Sequence, residues 1–117
     1  MRRLLPRRVP EVRTIVGTGL FDFGDRDGVG DEVELQHAED LTLHRGAIVV
    51  ADTYTDKLKV IDPVTRECRA MPGEAGSGEH LTSHGGVVSA GEPLYVIDTE
   101  AHRIACVDTE TGALRTL

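Results

Sequence analysis

Short apolar runs alternate with polar turns along this chain, and the runs come in a fixed order. Leu41-Thr42-Leu43 is a short strand-like run, and His44-Arg45-Gly46 turns the chain. Ala47 to Ala51 is continuously apolar, too short for a helix and rich in Val and Ile, which predicts a central strand. Asp52 to Asp56 turns the chain again, and Lys57-Leu58-Lys59-Val60-Ile61 alternates polar with apolar as a half-buried strand does. Pro63 in the turn Asp62-Pro63-Val64-Thr65 stops that strand, because it sets the turn geometry and has no N–H to give to a ladder. Glu67 to Met71 reads as a fourth strand, and Leu35, ahead of the unit, as a core plug.

The same order recurs 46 residues later. Residues 35–71 lie over 81–117 without a gap, and seven of the 37 positions are identical: Leu35/Leu81, Val50/Val96, Asp52/Asp98, Thr53/Thr99, Asp62/Asp108, Thr65/Thr111 and Arg69/Arg115. Most other positions keep their character, as in Lys57/Arg103, Leu58/Ile104 and Ile61/Val107. Four short antiparallel strands in a unit of this length describe a β-propeller blade. The expected fold is therefore all-β: two four-stranded blades of a partial propeller, at 35–73 and 81–117. A meander of this kind buries its faces only against neighbouring blades, so two blades leave two apolar faces open.

Upstream of the first blade the pattern changes twice. Residues 1–10, with four Arg and two Pro, read as an irregular basic lead-in, and 11–117 as the partial propeller. Glu11 to Val16 alternates, is β-branched and echoes Glu67 to Met71, which predicts an orphan strand over 11–16, the last strand of a preceding unit. Residues 17–34 form an acidic, Gly-rich loop in which Asp22, Asp25, Asp27, Asp31, Glu32 and Glu34 face only Arg26. Loops this long are commonly functional or partly disordered, and the plain reading here is a solvated, Gly-turned surface loop. Asp25, Asp27 and Asp31 lie in an Asp-x-Asp-Gly-x-Gly-Asp spelling that resembles a calcium loop, whose hard cation wants several oxygen ligands in one turn. It does not follow the EF-hand spacing.

Composition narrows the function classes. The formal net charge is -7, with five Arg against Glu11 in residues 1–13, so the rest of the chain is strongly acidic. That argues against nucleic acid as a partner, since phosphate binding needs clustered Lys and Arg. No stretch approaches the roughly 18 apolar residues of a membrane helix, and the N-terminus lacks the apolar run of a secretory signal. Cytoplasmic location is the default. Cys68 and Cys106 form no CxxC and read as reduced apolar side chains. No nucleophile elbow, P-loop or zinc helix signature is present. His37, His44, His84 and His102 share no repeat position, so a metal focus of three or more ligands is not expected. Asp52 and Asp98 close the central strands. Each is expected to accept turn N–H groups and the Thr53 or Thr99 hydroxyl, with Lys57 or Arg103 neutralising it, in a fold-holding role.

These residues resemble the NHL-repeat propeller family. Leu94-Tyr95-Val96-Ile97-Asp98-Thr99-Glu100-Ala101-His102-Arg103-Ile104 is similar to the family's LYVADTxNHRI core, and Gly85-Gly86-Val87 to its strand-opening glycine. Val12 to Leu117 resembles the C-terminal blades of NHL proteins with a thioredoxin-like domain upstream, and the Val16–His37 linker points to that branch. The chain departs from the family at Thr55-Asp56, where Asn-His is usual. It departs again at Asp40, which stands where the innermost strand has Gly and implies looser packing near the channel. The resemblance implies a non-catalytic protein-interaction module with blade-signature residues Asp52, Thr53, Lys57, Asp98, Thr99, His102 and Arg103, and no cofactor. The partner would be another protein, the missing blades of the same propeller, or further copies completing the ring, as three copies of two blades would. The alternative is a C-terminal fragment of a thioredoxin-like redox protein whose catalytic CxxC domain lies elsewhere. A metal-dependent propeller enzyme of the lyase or lactonase type ranks third.

Overall fold

A computed structural model describes residues 10–19 and 21–117; the basic lead-in before Pro10 lies outside them. The chain folds into two antiparallel sheets. The first contains β1 (Gly28–Val29), β2 (Ala38–His44), β3 (Ala47–Asp52), β4 (Lys57–Ile61) and β5 (Glu67–Ala70), in the order β1-β5-β4-β3-β2. The second is the simple meander β6 (Gly86–Ser89), β7 (Leu94–Asp98), β8 (Arg103–Val107) and β9 (Leu114–Thr116). All-β architecture and two blade-like sheets are thus present, built from the strands the apolar runs predict together with one they do not, Gly28–Val29.

Strand register decides which side chains meet. Ala51 pairs with Leu58 and Val49 with Val60, so these four share one face of the first sheet. That face packs on Leu81, Val87, Leu94, Val96, Ala105 and Val107 of the second unit, with Met71 and Ala75 filling the seam. Leu58 and Leu94 are completely buried there, and each such side chain contributes about 1.5–3 kcal/mol. Val50 and Ile61 point the other way, into a smaller cluster with Val33 and Cys68 against which Val16, Leu35 and Ile48 pack. Covering on both faces is why residues 47–51 are apolar without alternation.

Polar side chains stitch the two sheets along this seam. The Thr53 hydroxyl donates to the His84 carbonyl (2.8 Å), and Ser83 N–H donates to Asp56 Oδ1 (2.7 Å). His84 Nε2 lies 2.8 Å from the Lys57 carbonyl oxygen, and Ser89 N–H donates to Thr42 Oγ1 (3.1 Å). Asp40 belongs to the same seam. Its Oδ2 accepts from Val87 N–H at 3.0 Å, and a Cβ on Gly86 would stand 3.4 Å from that oxygen. The expected loosening is therefore absent, because the carboxylate of one innermost strand lies against the glycine of the next.

The turns between the last two strands of each blade account for two repeat identities. Asp62 Oδ1 accepts from Val64 and Thr65 N–H, and Asp108 Oδ1 from Glu110 and Thr111 N–H. The Thr65 and Thr111 hydroxyls then accept from Glu67 and Ala113 N–H. The second turn ends at Gly112 (φ +75°), where an added Cβ would fall 1.5 Å from the Pro72 carbonyl oxygen. Only glycine lets the Pro72 connection pass so close.

Residues 11–16 correct one expectation: they form no strand. A ladder needs a partner, and none of the described residues lies beside this segment as one; Val12 is fully exposed. The fifth strand of the first sheet is instead Gly28–Val29, from the acidic loop, paired with Cys68 and Glu67.

Buried His84 makes stability depend on pH. Burial lowers its pKa from the ordinary value, against the opposing pull of the Lys57 carbonyl and of Asp56, Asp98 and Asp52. Its Nδ1 has no partner among the described residues. The native state holds the ring neutral, so its stabilisation is complete above about pH 6.5 and is lost as pH falls from there toward the folded pKa, by at most about 1.4 kcal/mol per pH unit. Melting curves between about pH 7.5 and about pH 5.5 should show this loss, and His84→Asn should reduce it.

Candidate functional site

The signature residues meet at one end of the blades, where β3 and β7 run into their turns. Asp52 and Asp98 are wholly buried there. Asp52 Oδ1 accepts from the N–H groups of Gln36 (3.0 Å) and His37 (2.8 Å), and Oδ2 from the Thr55 hydroxyl (3.0 Å). Asp98 Oδ1 accepts from Thr82 N–H (2.6 Å), the position 46 residues after Gln36, and Oδ2 from Arg103 Nε (2.7 Å). Each carboxylate thus ties the end of its central strand to the segment leading into the same blade. The N–H donors come from that lead-in and not from the turn that follows, as the sequence suggested.

The other signature side chains divide their work differently in the two blades. Arg103 extends from Asp98 to the His80 carbonyl (3.0 Å) and to the Thr116 hydroxyl (3.1 Å). Lys57 leaves Asp52 and pairs with Asp25 of the acidic loop. Thr53 bonds across the seam, whereas Thr99 is exposed; a Cβ on Gly85 would meet its hydroxyl at 2.9 Å. Asp56 and His102 hold the same left-handed turn position (φ 56° and 55°), which Asn, Asp and His tolerate better than most residues. His37 stacks on Tyr54 with ring centroids 4.4 Å apart, while His44 Nδ1 lies 2.7 Å from Ser89 Oγ. The histidines have no common focus.

The acidic loop holds a cation, but it is a lysine. Lys59 has no exposed side-chain surface, and its Nζ donates to Asp25 Oδ1 and Asp27 Oδ1, both at 2.6 Å. Asp27 Oδ2 also accepts from Ala70 N–H (3.0 Å). Burial pulls the Lys59 pKa down, but hydrogen bonds and charge from Asp25 and Asp27 outweigh it, so the net shift is upward. Burial likewise pushes both carboxyls up, and their lysine partners bring them below the ordinary value. Asp31 is turned away, 3.4 Å from Arg66. An ammonium thus occupies two of the three acids whose spelling resembles a calcium loop, and no three His, Cys, Asp or Glu side chains are grouped to hold a metal among the described residues. The signal for Lys59 was its alignment with Ala105, a charged residue on an otherwise apolar face beside an acid-rich loop.

Two clefts lie on the outer faces of the blades. One of about 450 Å³ lies between Arg13–Val16 and the outer face of the first blade, including Leu35, Ile48 and Ile61. One of about 370 Å³ lies on the open face of the second, lined by Tyr95, Ile97, Ile104 and Leu117. Both linings are mainly apolar. The two cysteines are free, and burial pushes the Cys68 thiol up to about 11, so it stays protonated at neutral pH.

Repeated four-stranded meanders, packed face on face and tied by an Asp at the end of each central strand, define blades of a β-propeller. No protein-family profile matches the chain. It is 39% identical over 112 residues to human (Homo sapiens) NHL repeat-containing protein 2, covering 84% of this chain and 15% of that protein. The counterpart from Gallus gallus is 35% identical over an alignment of 133 residues, with 98% and 18% covered. The Protein SUPPRESSOR OF QUENCHING 1, chloroplastic, of Arabidopsis thaliana is 39% identical over 99 residues, with 82% and 9% covered. The chain belongs with the NHL-repeat proteins, and it spans less than a fifth of the length of these relatives. No helix among the described residues is long and apolar enough to cross a membrane.

Two substitutions test these roles. Asp98→Asn keeps the volume but removes the charge facing Arg103, and should lower stability by about 1–3 kcal/mol in denaturant titration; an unchanged melting curve would remove the tethering role. At the lysine site the effects should be asymmetric. Lys59→Met, which leaves two partly exposed acids free to hydrate, should be nearly neutral. Asp25→Ala with Asp27→Ala strands a buried ammonium and should cost about 3–5 kcal/mol.

Proposed function

We propose that this chain is a non-catalytic NHL-repeat propeller segment that serves as a protein-interaction scaffold. The observation carrying this reading is that the conspicuous polar side chains are consumed by the fold. Asp52 and Asp98 are saturated within their own blades, Lys59 is held by Asp25 and Asp27, and the histidines diverge. What is left for recognition is the surface of turns at the signature end. Tyr54 is 62% exposed there, braced by His37, and His102 is exposed on the neighbouring blade. An amphipathic aromatic on a rigid turn is a good anchor for a protein partner. The reading places the chain in the cytoplasm, where Cys68 and Cys106 stay free thiols.

In a second reading the blades belong to a thioredoxin-like NHL-repeat redox protein; what bears on it is only that the relatives are much longer than this chain. The chemistry would then lie on another domain, since the protonated Cys68 offers none. Disulfide reduction by this chain alone would contradict both readings.

The scaffold reading is tested with Tyr54→Ala and His102→Asn in the complete protein. Both should leave the melting temperature within the small range of surface changes, about 0.5 kcal/mol, while partner co-purification falls. Stoichiometric metal in the purified chain, accompanied by hydrolase or lyase turnover, would overturn it.

A further inference from the structure

We infer that the notch over Gly85, where the two blades meet at the signature end, binds an arginine side chain of the protein partner. The inference rests on the scaffold reading and names the chemistry that the partner presents.

The notch begins with a break in the repeat. Glu39 stands at the position that aligns with Gly85, 46 residues later. The register of β2 on β3 steps from Ala38↔Asp52 to Asp40↔Ala51, which makes Glu39 the extra residue of a β-bulge. A bulge re-aims the side chain it carries, and Glu39 reaches over the seam to the second blade. Its Oε2 lies 3.8 Å from the point where a Cβ on Gly85 would stand, and Thr99 Oγ1 lies 2.9 Å from the same point. Glycine at 85 keeps this space clear, since any side chain there would press on the Thr99 hydroxyl.

The acceptors around the notch are left over by the fold. Glu39 Oε1 faces His37 Nε2 at 3.1 Å, while Oε2 has no partner among the described residues. The Thr99 hydroxyl makes no side-chain hydrogen bond among them either, although its counterpart Thr53 donates to the His84 carbonyl. His37 also stacks on Tyr54, with 18° between the ring planes. A free carboxylate oxygen, a free hydroxyl and an exposed aromatic ring are thus joined through one chain of contacts. The cations of this end are engaged elsewhere, Lys57 with Asp25 and Arg103 with Asp98, and neither neutralises Glu39.

A guanidinium matches this arrangement. Its forked N–H donors can meet the carboxylate on one side of the notch and the hydroxyl on the other, and its flat face can stack on Tyr54. An ammonium is a compact point charge that would meet Glu39 but lacks the fork and the stacking plane. A hard divalent ion needs more oxygen ligands than these two. The formal net charge of -7 steers a basic partner toward the chain from a distance.

NMR titration of the isotope-labelled chain with the capped peptide Gly-Gly-Arg-Gly-Gly tests the site. Saturable shifts are expected at the Gly85, Thr99 and Tyr54 amides. Glu39→Gln removes the charge and Gly85→Ala fills the notch, and each should weaken the peptide about tenfold or more. Thr99→Val replaces Gly85→Ala if that variant does not fold, as checked by circular dichroism. Glu110→Gln, an exposed acid at the opposite end of the blade, should leave the affinity unchanged, and the peptide with Lys in place of Arg should bind several-fold more weakly. Absence of shifts at these amides overturns the inference, as does binding indifferent to Glu39→Gln and Gly85→Ala or equal for the two peptides. In the complete protein, partner co-purification lost with Tyr54→Ala but kept with Glu39→Gln and Gly85→Ala overturns this inference and leaves the scaffold reading standing. Co-purification kept with all three variants overturns both.

Discussion

A four-stranded meander of this size has two faces and no helix to cover either, so everything here depends on the packing of one sheet against another. The seam between the blades supplies that cover for one face of each. It fixes which residues of β3 and β4 are apolar, places Ala75 from the connecting segment in the middle of the core, and leaves the outer faces uncovered. The first blade partly offsets this by folding its upstream loop back, so that Val33 and Val16 cover Val50, Ile61 and Cys68.

Directional bonds hold these faces in register. Asp52 and Asp98 are buried charges, costly to place unless every oxygen finds a donor. Each satisfies itself by reaching back to the lead-in of its own blade, which pins the innermost strand to the central one. The turn acids Asp62 and Asp108 perform a smaller version of the same task at the opposite end of the blade. The hydrogen bonds explain the identities Asp52/Asp98, Asp62/Asp108 and Thr65/Thr111 between the copies; hydrophobic positions drift among Val, Ile and Leu because packing tolerates such swaps. Nothing in the structure explains the identity of the exposed Arg69 and Arg115.

The acidic loop shows how one substitution redirects a local motif. Because Lys59 occupies a position that is Ala105 in the second blade, the first blade carries a cation inside its covered face. The loop's acids are therefore drawn onto the protein and not toward solvent ions. Lys57 follows them, leaving Asp52 to the Thr55 hydroxyl, whereas Arg103 stays with Asp98. Two equivalent positions thus acquire different partners, through a neighbour two residues away and a loop present on one side only.

The sequence alone determined the strands of both blades, their order and the repeat, because apolar periodicity and turn chemistry are local and were written twice. It also marked Asp52 and Asp98 as buried polar groups that the fold needs. It did not determine which donors they use, since Gln36, His37 and Thr82 come near them only once β2 and β6 lie beside β3 and β7. It misread residues 11–16, whose alternation is strand-like but whose ladder partner is a tertiary matter. It could not place Asp25 and Asp27 on Lys59, because an alternating strand reads as half polar until a loop more than thirty residues upstream folds over its polar face. Local pattern decided the elements; burial and the partners it imposes were decided only when the faces met.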